Sequence, residues 1–127
     1  MTPVYLFGLA SRHAQWASLR QVTISGNVAN ANTPGYEALD VAPFTDVMKE
    51  TQMSMARTSA RHLGGDVAEA FTGKVDPSAS WDITHSGNSV SIDQEMVKAA
   101  DVNRAMSLNT SIVKSFHRMM LSATRSA

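Results

Sequence analysis

The last third of the chain carries an uninterrupted helical pattern, and this constrains the fold more than any other feature. No glycine or proline follows Gly87, so nothing in the sequence breaks a helix there. Ser91 and Gln94 have the spacing of a capping box, and the first turn after them is acidic. The pattern predicts a helix from Ile92 to Ser126, about 52 Å long.

Two heptad positions along this helix form a seam, as in a coiled coil. One position holds Ile92, Ala99, Met106, Val113 and Met120, and the other holds Glu95, Val102, Asn109, Phe116 and Ala123. The flanking residues Lys98, Ala105, Ile112 and Met119 become apolar toward the end. Asn109 is polar within the seam, which lowers stability but can fix the register of a partner helix. The seam therefore predicts that this helix pairs with another.

A second long helical pattern occupies the start of the chain. Thr2 can cap it, and Pro3 at the first helical position loses no hydrogen bond. If helical from Pro3 to Ala31, it is about 43 Å long. One face holds Leu6, Leu9, Ala10, His13, Ala17, Ile24, Val28 and Ala31. Further apolar residues lie on other faces, which indicates a helix that is contacted from more than one side.

The first helical pattern ends in a stretch rich in asparagine. It reads Asn27-Val28-Ala29-Asn30-Ala31-Asn32-Thr33-Pro34-Gly35-Tyr36. Pro34 and Gly35 suit the central positions of a type II turn, where glycine takes a positive φ, and Thr33 before the proline favours an extended backbone. The turn leaves Asn27 and Asn30 unexplained. We expect their side-chain amides to bond the backbone of the following loop and to fix the direction in which the chain exits.

The middle of the chain, residues 37–90, is weakly patterned. A short helix fits between Val41 and Met55, around Phe44 and its neighbours, and residues 73–80 form a predicted loop. Residues 81–84 suit a short extended piece, and residues 85–89 a turn. A long loop of this kind is uncommon inside a compact domain, so we expect a segment that is ordered by its neighbours or is disordered when the protein is alone.

These patterns together predict a mainly α fold. Long N- and C-terminal helices pair as an antiparallel coiled coil, and the irregular middle segment has room for a short helix or extended pieces. The whole chain, 1–127, is then a single domain with three parts. Residues 1–36 are the first helix and its turn motif, residues 37–90 the middle segment, and residues 91–127 the heptad helix.

The composition excludes several functions. The formal net charge is zero, which removes a general electrostatic case for binding nucleic acid or a membrane surface. The chain lacks cysteine, so disulfides and thiolate metal sites are excluded. Its four histidines form no metal-binding pair, and no nucleophile or acid pair has a catalytic setting. We therefore predict no catalytic, metal or cofactor site and no small-molecule substrate.

We also expect no targeting segment at the start of the chain. The apolar run from Val4 to Ala10 has no preceding basic residue and no clear cleavage site after it. Residues 1–36 are basic and free of acid, like a mitochondrial presequence, but the helical pattern does not stop where a presequence should. We expect no cleaved signal peptide. No run approaches the roughly 18 apolar residues of a membrane span.

The motif from Asn27 to Tyr36 resembles the N-terminal signature of the bacterial flagellar rod and hook family. Residues 37–40 and Phe44 look like the version found in proximal rod proteins. Arg61-His62-Leu63 is similar to a short element of the middle segment in those proteins. Residues 87–96, with Ala100 and Asn103, resemble the entry to their C-terminal helix. Family members commonly carry a tyrosine shortly after that position, where this chain has Met106-Ser107-Leu108.

The resemblance implies a structural subunit of the flagellar drive shaft. Such subunits are exported unfolded by the flagellar type III apparatus and polymerise in the periplasm. The implied partners are copies of the same chain, other rod proteins, the junction with the membrane ring and the export apparatus. A sister proximal rod protein remains the alternative within the family. Outside it, the alternative is a cytoplasmic adaptor that binds partner helices through its heptad face.

Overall fold

The computed structural model describes residues 3–51 and 75–125, and two long helices dominate it. The elements in chain order are α1 (Pro3–Ala29), β1 (Leu39–Val41), α2 (Phe44–Thr51), β2 (Val75–Pro77) and α3 (Ile92–Arg125). The prediction of a mainly α fold with long terminal helices and a less regular middle is confirmed. The predictions for Thr2 and for Arg61-His62-Leu63 lie outside the described residues.

Helices α1 and α3 run antiparallel along each other. Near one end, the rings of Phe7 and Phe116 meet edge to face with centroids 5.5 Å apart. Further along, the Asn109 side-chain amide donates to the carbonyl of Ala10 at 3.0 Å. At the other end, Asn27 of α1 reaches Glu95 of α3. Residue numbers rise on one helix as they fall on the other, so the predicted antiparallel pairing is observed.

The apolar core lies toward the end of the pair where α1 finishes and α3 begins. Its buried residues are Trp16, Ala17, Ile24, Val41 and Val102. Leu19, Phe44, Val47 and Ala99 pack against them. The indole N–H of Trp16 donates to the Ala42 carbonyl at 2.8 Å, so the largest core side chain also satisfies its polar atom. The core thus joins α1 and α3 to the segment that follows the turn motif.

Helix α2 is held against this core by aromatic contacts. Its first residue, Phe44, packs on His13 with ring centroids 4.8 Å apart and on Trp16 at 5.8 Å. Burial among these rings lowers the pKa of His13 below its ordinary value, because the charged imidazolium loses hydration there. The predicted short helix in this region is confirmed, but Val41 belongs to the preceding strand.

Strands β1 and β2 form a two-stranded antiparallel sheet in which Leu39 pairs with Pro77 and Val41 with Val75. Strand β2 falls inside residues 73–80, where the sequence predicted a loop, so that part of the prediction was wrong. Residues 81–84 form no strand pairing, and Trp81 lies at a bend, so the extended piece predicted there is not part of the sheet. Strand pairing is decided by a partner far away in the chain, and a three-residue strand is too short to show alternation.

The helix ends differ from the sequence pattern in two respects. Helix α1 ends at Ala29, two residues before the predicted Ala31. The predicted capping box was wrong because the Gln94 side chain is used elsewhere. Its amide donates to the Ala79 carbonyl at 2.9 Å, and its oxygen accepts from the Trp81 amide. Among the described residues, no helix is long and apolar enough to span a bilayer.

Candidate functional site

Asn27 lies at the centre of the junction where the two helices meet the extended segment. Its side chain is completely buried. Its amide nitrogen donates to the Leu39 carbonyl at 2.6 Å and to the Glu95 carboxylate at 3.0 Å. Its oxygen accepts from the Leu39 amide at 3.0 Å and from the Tyr36 hydroxyl at 3.5 Å. One asparagine therefore bonds both backbone polar groups of Leu39, on the edge of β1 that β2 does not pair with, and ties that residue to both helices.

The Pro34-Gly35 turn has the predicted geometry. Gly35 takes a φ of +70°, and the Tyr36 amide donates to the Thr33 carbonyl at 3.3 Å across the turn. These features match a type II turn with glycine at its third position. The Gly35 amide then donates to the Ser86 carbonyl at 3.0 Å. The turn is thereby attached to the second turn of the structure, which leads into α3.

Asn88 holds the two turns together from the opposite side. Its side chain is buried, and its amide donates to the carbonyls of Asn30 at 2.8 Å and Thr33 at 2.7 Å. Its oxygen accepts from the Val90 amide at 2.7 Å. Both carbonyls lie in the turns just after α1, where each also accepts a hydrogen bond from a turn amide. Asn88 therefore caps α1 from a position 58 residues further along the chain.

Asn30 closes the end of α1 by local bonds. Its side-chain amide donates to the Gly26 carbonyl at 2.9 Å, and its oxygen accepts from the Thr33 hydroxyl at 3.2 Å. The neighbouring residues Asn32 and Pro34 are exposed. Asn27 meets the expectation, because its side chain bonds the Leu39 backbone in the exit segment. For Asn30 the expectation was wrong, because its amide bonds the Gly26 carbonyl inside α1 and not the following loop.

A network of charged side chains surrounds Asn27. Glu95 is 1% exposed, and its second oxygen accepts from the Lys98 ammonium at 2.9 Å. Lys98 also contacts the Asp40 carboxylate at 3.3 Å and the Ser78 hydroxyl at 2.9 Å. The Arg20 guanidinium donates two hydrogen bonds to the Asp40 carboxylate, at 3.0 and 3.2 Å. The four charged groups come from α1, β1 and α3, so the network joins all three elements.

The network determines the ionisation of Asp40. Burial by itself raises the pKa of this carboxyl. The hydrogen bonds from Arg20 and from the Val41 amide, with the positive charges of Arg20 and Lys98, outweigh burial and hold the pKa below its ordinary value. Asp40 therefore remains charged and tied to its partners at neutral pH. A carboxylate engaged in this way is a structural tie, not a proton-transfer group.

The structure divides the predicted seam of α3 into two sets. One heptad position faces α1: Glu95 and Val102 are buried, and Asn109 and Phe116 are half-buried. Of the other position, Ala99 and Val113 are half-buried. Three members of that position are largely exposed, at 51%, 39% and 39%: Ile92, Met106 and Met120. Ala123, the last member of the first position, is exposed as well. Pairing with α1 therefore leaves four of the predicted seam residues largely uncovered.

Asp40 and Asn88 carry much of the junction, yet the sequence assigned them no role beyond a family resemblance. Their partners lie 20 to 58 residues away, so no local spacing reveals them. The sequence signal that could have found them is a polar residue at a position where the pattern predicts burial. Glu95, which lies in an apolar seam, is the clearest case. A buried carboxylate requires a positive partner, and Lys98 one turn later is the nearest candidate.

Within residues 3–51 and 75–125, no group of acidic, histidine or cysteine side chains could hold a metal ion. The polar side chains of the junction bond one another and the backbone. A long antiparallel helix pair, closed at one end by such a junction and exposing apolar residues along its length, defines a structural helical subunit.

Comparisons with known proteins identify the family. A family model described as "Flagella basal body rod protein" matches residues 14–36, from the core of α1 through the Pro34-Gly35 turn. The flagellar basal body rod protein FlgB of Agrobacterium fabrum strain C58 is 47% identical over an alignment of 125 residues, with 95% of this chain and 93% of that protein covered. FlgB of Yersinia enterocolitica is 33% identical over 94 residues, covering 65% of this chain and 66% of that protein. FlgB of Escherichia coli K12 is 28% identical over 90 residues, covering 65% of each.

The chain belongs to the FlgB family of flagellar basal body rod proteins.

Proposed function

We propose that this chain is a structural subunit of the proximal rod in the bacterial flagellar basal body. In this role it forms part of the drive shaft that transmits torque from the motor to the hook. Family membership carries the proposal, and the buried junction gives it a physical basis. A torque-bearing subunit needs a fixed angle between its helices and the segment that leaves them. The Asn27 bonds to Leu39 and Glu95 supply such a constraint.

The two long helices form the inner coiled-coil core of the rod in this proposal. The seam residues that α1 leaves uncovered then meet neighbouring subunits, because apolar side chains exposed on a monomer become buried in a helical lattice. The proposed assembly seam is Ile92, Ala99, Val102, Met106, Asn109, Val113, Phe116 and Met120. Of these, Val102, Asn109 and Phe116 contact α1 within the chain, whereas Ile92, Met106 and Met120 are exposed and available to neighbouring subunits. Within it, Asn109 sets the register of the chain's own helix pair through its bond to Ala10.

The turn motif directs the chain out of this core. The proposed motif residues are Asn27, Asn30, Asn32, Thr33, Pro34, Gly35 and Tyr36. Six of their side-chain or backbone hydrogen bonds join them to the segment that follows or to the turn before α3. Residues beyond the motif then contact neighbouring subunits. The motif therefore acts in positioning, and it binds no ligand in this proposal.

The proposed partners are copies of the same chain, other flagellar rod proteins, the junction of the rod with the membrane ring, and the export apparatus. The site of assembly is the periplasm, reached through the flagellar type III apparatus without cleavage of a signal peptide. The support for this route is the family resemblance. The short apolar run Val4 to Leu9 is a candidate export-recognition segment, although packing of α1 explains it equally well.

Fractionation of purified basal bodies tests the function. We expect this chain to be present in the rod fraction of wild-type cells and absent from that fraction when flagellar export is blocked. N-terminal sequencing of the protein from basal bodies tests the export route, since a cleaved signal would shift the first residue. Retention of the chain in the cytoplasm, in a discrete complex and with export intact, would favour the adaptor alternative. The FlgB relatives disfavour both that reading and the sister rod protein FlgC.

A further inference from the structure

The helix pair is unequally packed along its length. We divide it into a motif half, residues 16–51 and 75–102, and a terminal half, residues 3–15 and 103–125. Of the described residues, every fully buried side chain except Ala10 lies in the motif half. Both halves expose large apolar side chains, but those of the terminal half do not surround a buried core; they are exposed by 39% to 63%. They are Tyr5, Met106, Leu108, Ile112, Met119, Met120 and Leu121.

An apolar groove lies in the terminal half between the two helices. Its volume is about 240 Å³, and its walls come from α1, α3 and the first residue of α2. Leu6 and Leu9 line one side, and Leu108 and Ile112 line the other. The groove is open to solvent, and its size suits one or two large side chains.

The motif half presents two large apolar side chains on a fixed loop. Trp81 is 68% exposed and Ile83 is 67% exposed. The loop backbone is nevertheless held in place: the Trp81 amide donates to the Gln94 side chain at 3.3 Å, and the Thr84 amide donates to the Asn88 carbonyl at 2.9 Å. Exposed aromatic and aliphatic side chains on a pre-ordered backbone are typical anchors of protein interfaces. We call residues 81–83 the anchor loop.

Charge is segregated between the same two halves. The terminal half contains five basic residues and no acidic residue, whereas the motif half contains nine acidic and three basic residues. Two of the three bases, Arg20 and Lys98, are committed to the buried network. The antiparallel pairing produces this polarity because it brings the acid-free start of α1 beside the acid-free end of α3. Each half is therefore electrostatically complementary to the other half of a second copy.

We propose that copies of this chain associate head to tail, with the anchor loop of one copy seated in the Leu6–Ile112 groove of the next. The opposite charges of the two halves orient the encounter, and burial of Trp81 and Ile83 in the groove stabilises it. Because the loop and the groove are different surfaces, the contact is heterologous and leaves a free loop and a free groove at the ends of each pair. The proposal rests on the proposed function, since it names the contact through which a rod subunit meets its own kind.

Disulfide trapping tests this contact, and the absence of cysteine from the chain makes the test clean. Ile83→Cys and Leu108→Cys are prepared as separate full-length proteins, mixed and oxidised. The control replaces Ile83→Cys with Val22→Cys, a site 66% exposed on α1 in the motif half. We expect the Ile83–Leu108 mixture to give several-fold more heterodimer than the Val22–Leu108 mixture. A chain with both Ile83→Cys and Leu108→Cys should give a ladder of oligomers.

Equal heterodimer yields in the two mixtures would overturn the proposal, as would a preference of Leu108→Cys for pairing with itself, which indicates a symmetric contact. Salt gives a second measurement. Raising NaCl from about 50 to about 500 mM shortens the screening length about threefold and should lower the specific yield several-fold. The crosslinking result and the basal-body fractionation can fail independently. A chain found in basal bodies without this crosslink retains the proposed function and loses the contact. A chain that crosslinks but is absent from basal bodies retains the contact and loses the proposed function.

Discussion

Asn27→Asp is the most informative perturbation of the junction, because it preserves shape and reverses the hydrogen-bonding character of one atom. The amide nitrogen that donates to the Leu39 carbonyl at 2.6 Å and to Glu95 at 3.0 Å becomes an acceptor facing two acceptors. A neutral hydrogen bond contributes about 1 kcal/mol and one to a charged group about 1.5–3 kcal/mol, and the buried acceptors left unpaired add to the loss. We expect the free energy of unfolding to fall by about 3–5 kcal/mol at pH 8.

The variant also acquires a pH dependence of definite sign. The new carboxylate lies against the Glu95 carboxylate, and this like-charge contact raises the folded-state pKa of the introduced Asp side chain above its unfolded value. The folded state then binds more protons than the unfolded state at pH values between the two. Stability of the variant therefore increases as the pH falls from 8 toward about 5.

Urea unfolding followed by circular dichroism at 222 nm measures both effects. Asn103→Asp is the matched control, since Asn103 is exposed on α3 and the same atoms change. We expect the control to change stability by less than about 0.5 kcal/mol. A loss at Asn27 no larger than the loss at Asn103 would refute the reasoning. So would a penalty that stays constant between pH 8 and pH 5.

Three further predictions follow from the turn, the network and the helix pair. Gly35→Val should lower the free energy of unfolding by about 1–2 kcal/mol and impair rod assembly more than export, because φ is +70° there although an added Cβ would meet no atom. Gly26→Ala is the control: it has equal space but lies inside a helix, and it should raise the free energy of unfolding by about 0.5–1 kcal/mol. Normal motility of the Gly35 variant would contradict the role of the turn. Asp40 has a lowered folded pKa, so its contribution is present above pH 3.8 and is lost as the pH falls through the folded value; acid titration of Asp40→Asn should show a smaller loss of stability in that range. Asn109→Ala should lose about 1 kcal/mol through its bond to Ala10, measured by urea unfolding against Asn103→Ala.

The parts of the fold that local chemistry decides were predictable from the sequence. Helical periodicity gave both long helices because residues three, four and seven apart share a face whatever the partner. The Pro34-Gly35 turn was equally local, since proline restricts one φ and glycine supplies the positive φ of the next residue. These features need no knowledge of distant residues.

The junction was only partly predictable because its partners are distant in sequence. Asn88 caps a helix that ended 58 residues earlier, and Lys98 contacts Asp40 and Ser78 across the fold. Gln94 has the spacing of a capping box, but the loop at residues 79–81 offers its side chain a better-placed pair of backbone groups. Tertiary hydrogen bonds therefore replaced a local motif. The exposure of Ile92 and Met106 was also not predictable from local sequence, because a heptad pattern does not determine how many helices pack against it.

The β1–β2 pair has a consequence for the length of the chain between its strands. Val41 and Val75 are Cα partners, so the chain leaves the sheet at Val41 and re-enters it beside the same position. The entropic cost of closing a flexible loop rises only with the logarithm of its length, by about 0.6 kcal/mol for each doubling. Extra residues inserted between the strands would thus leave the helix pair and its junction almost unaffected. The same helical scaffold can therefore carry outer segments of very different size without being redesigned.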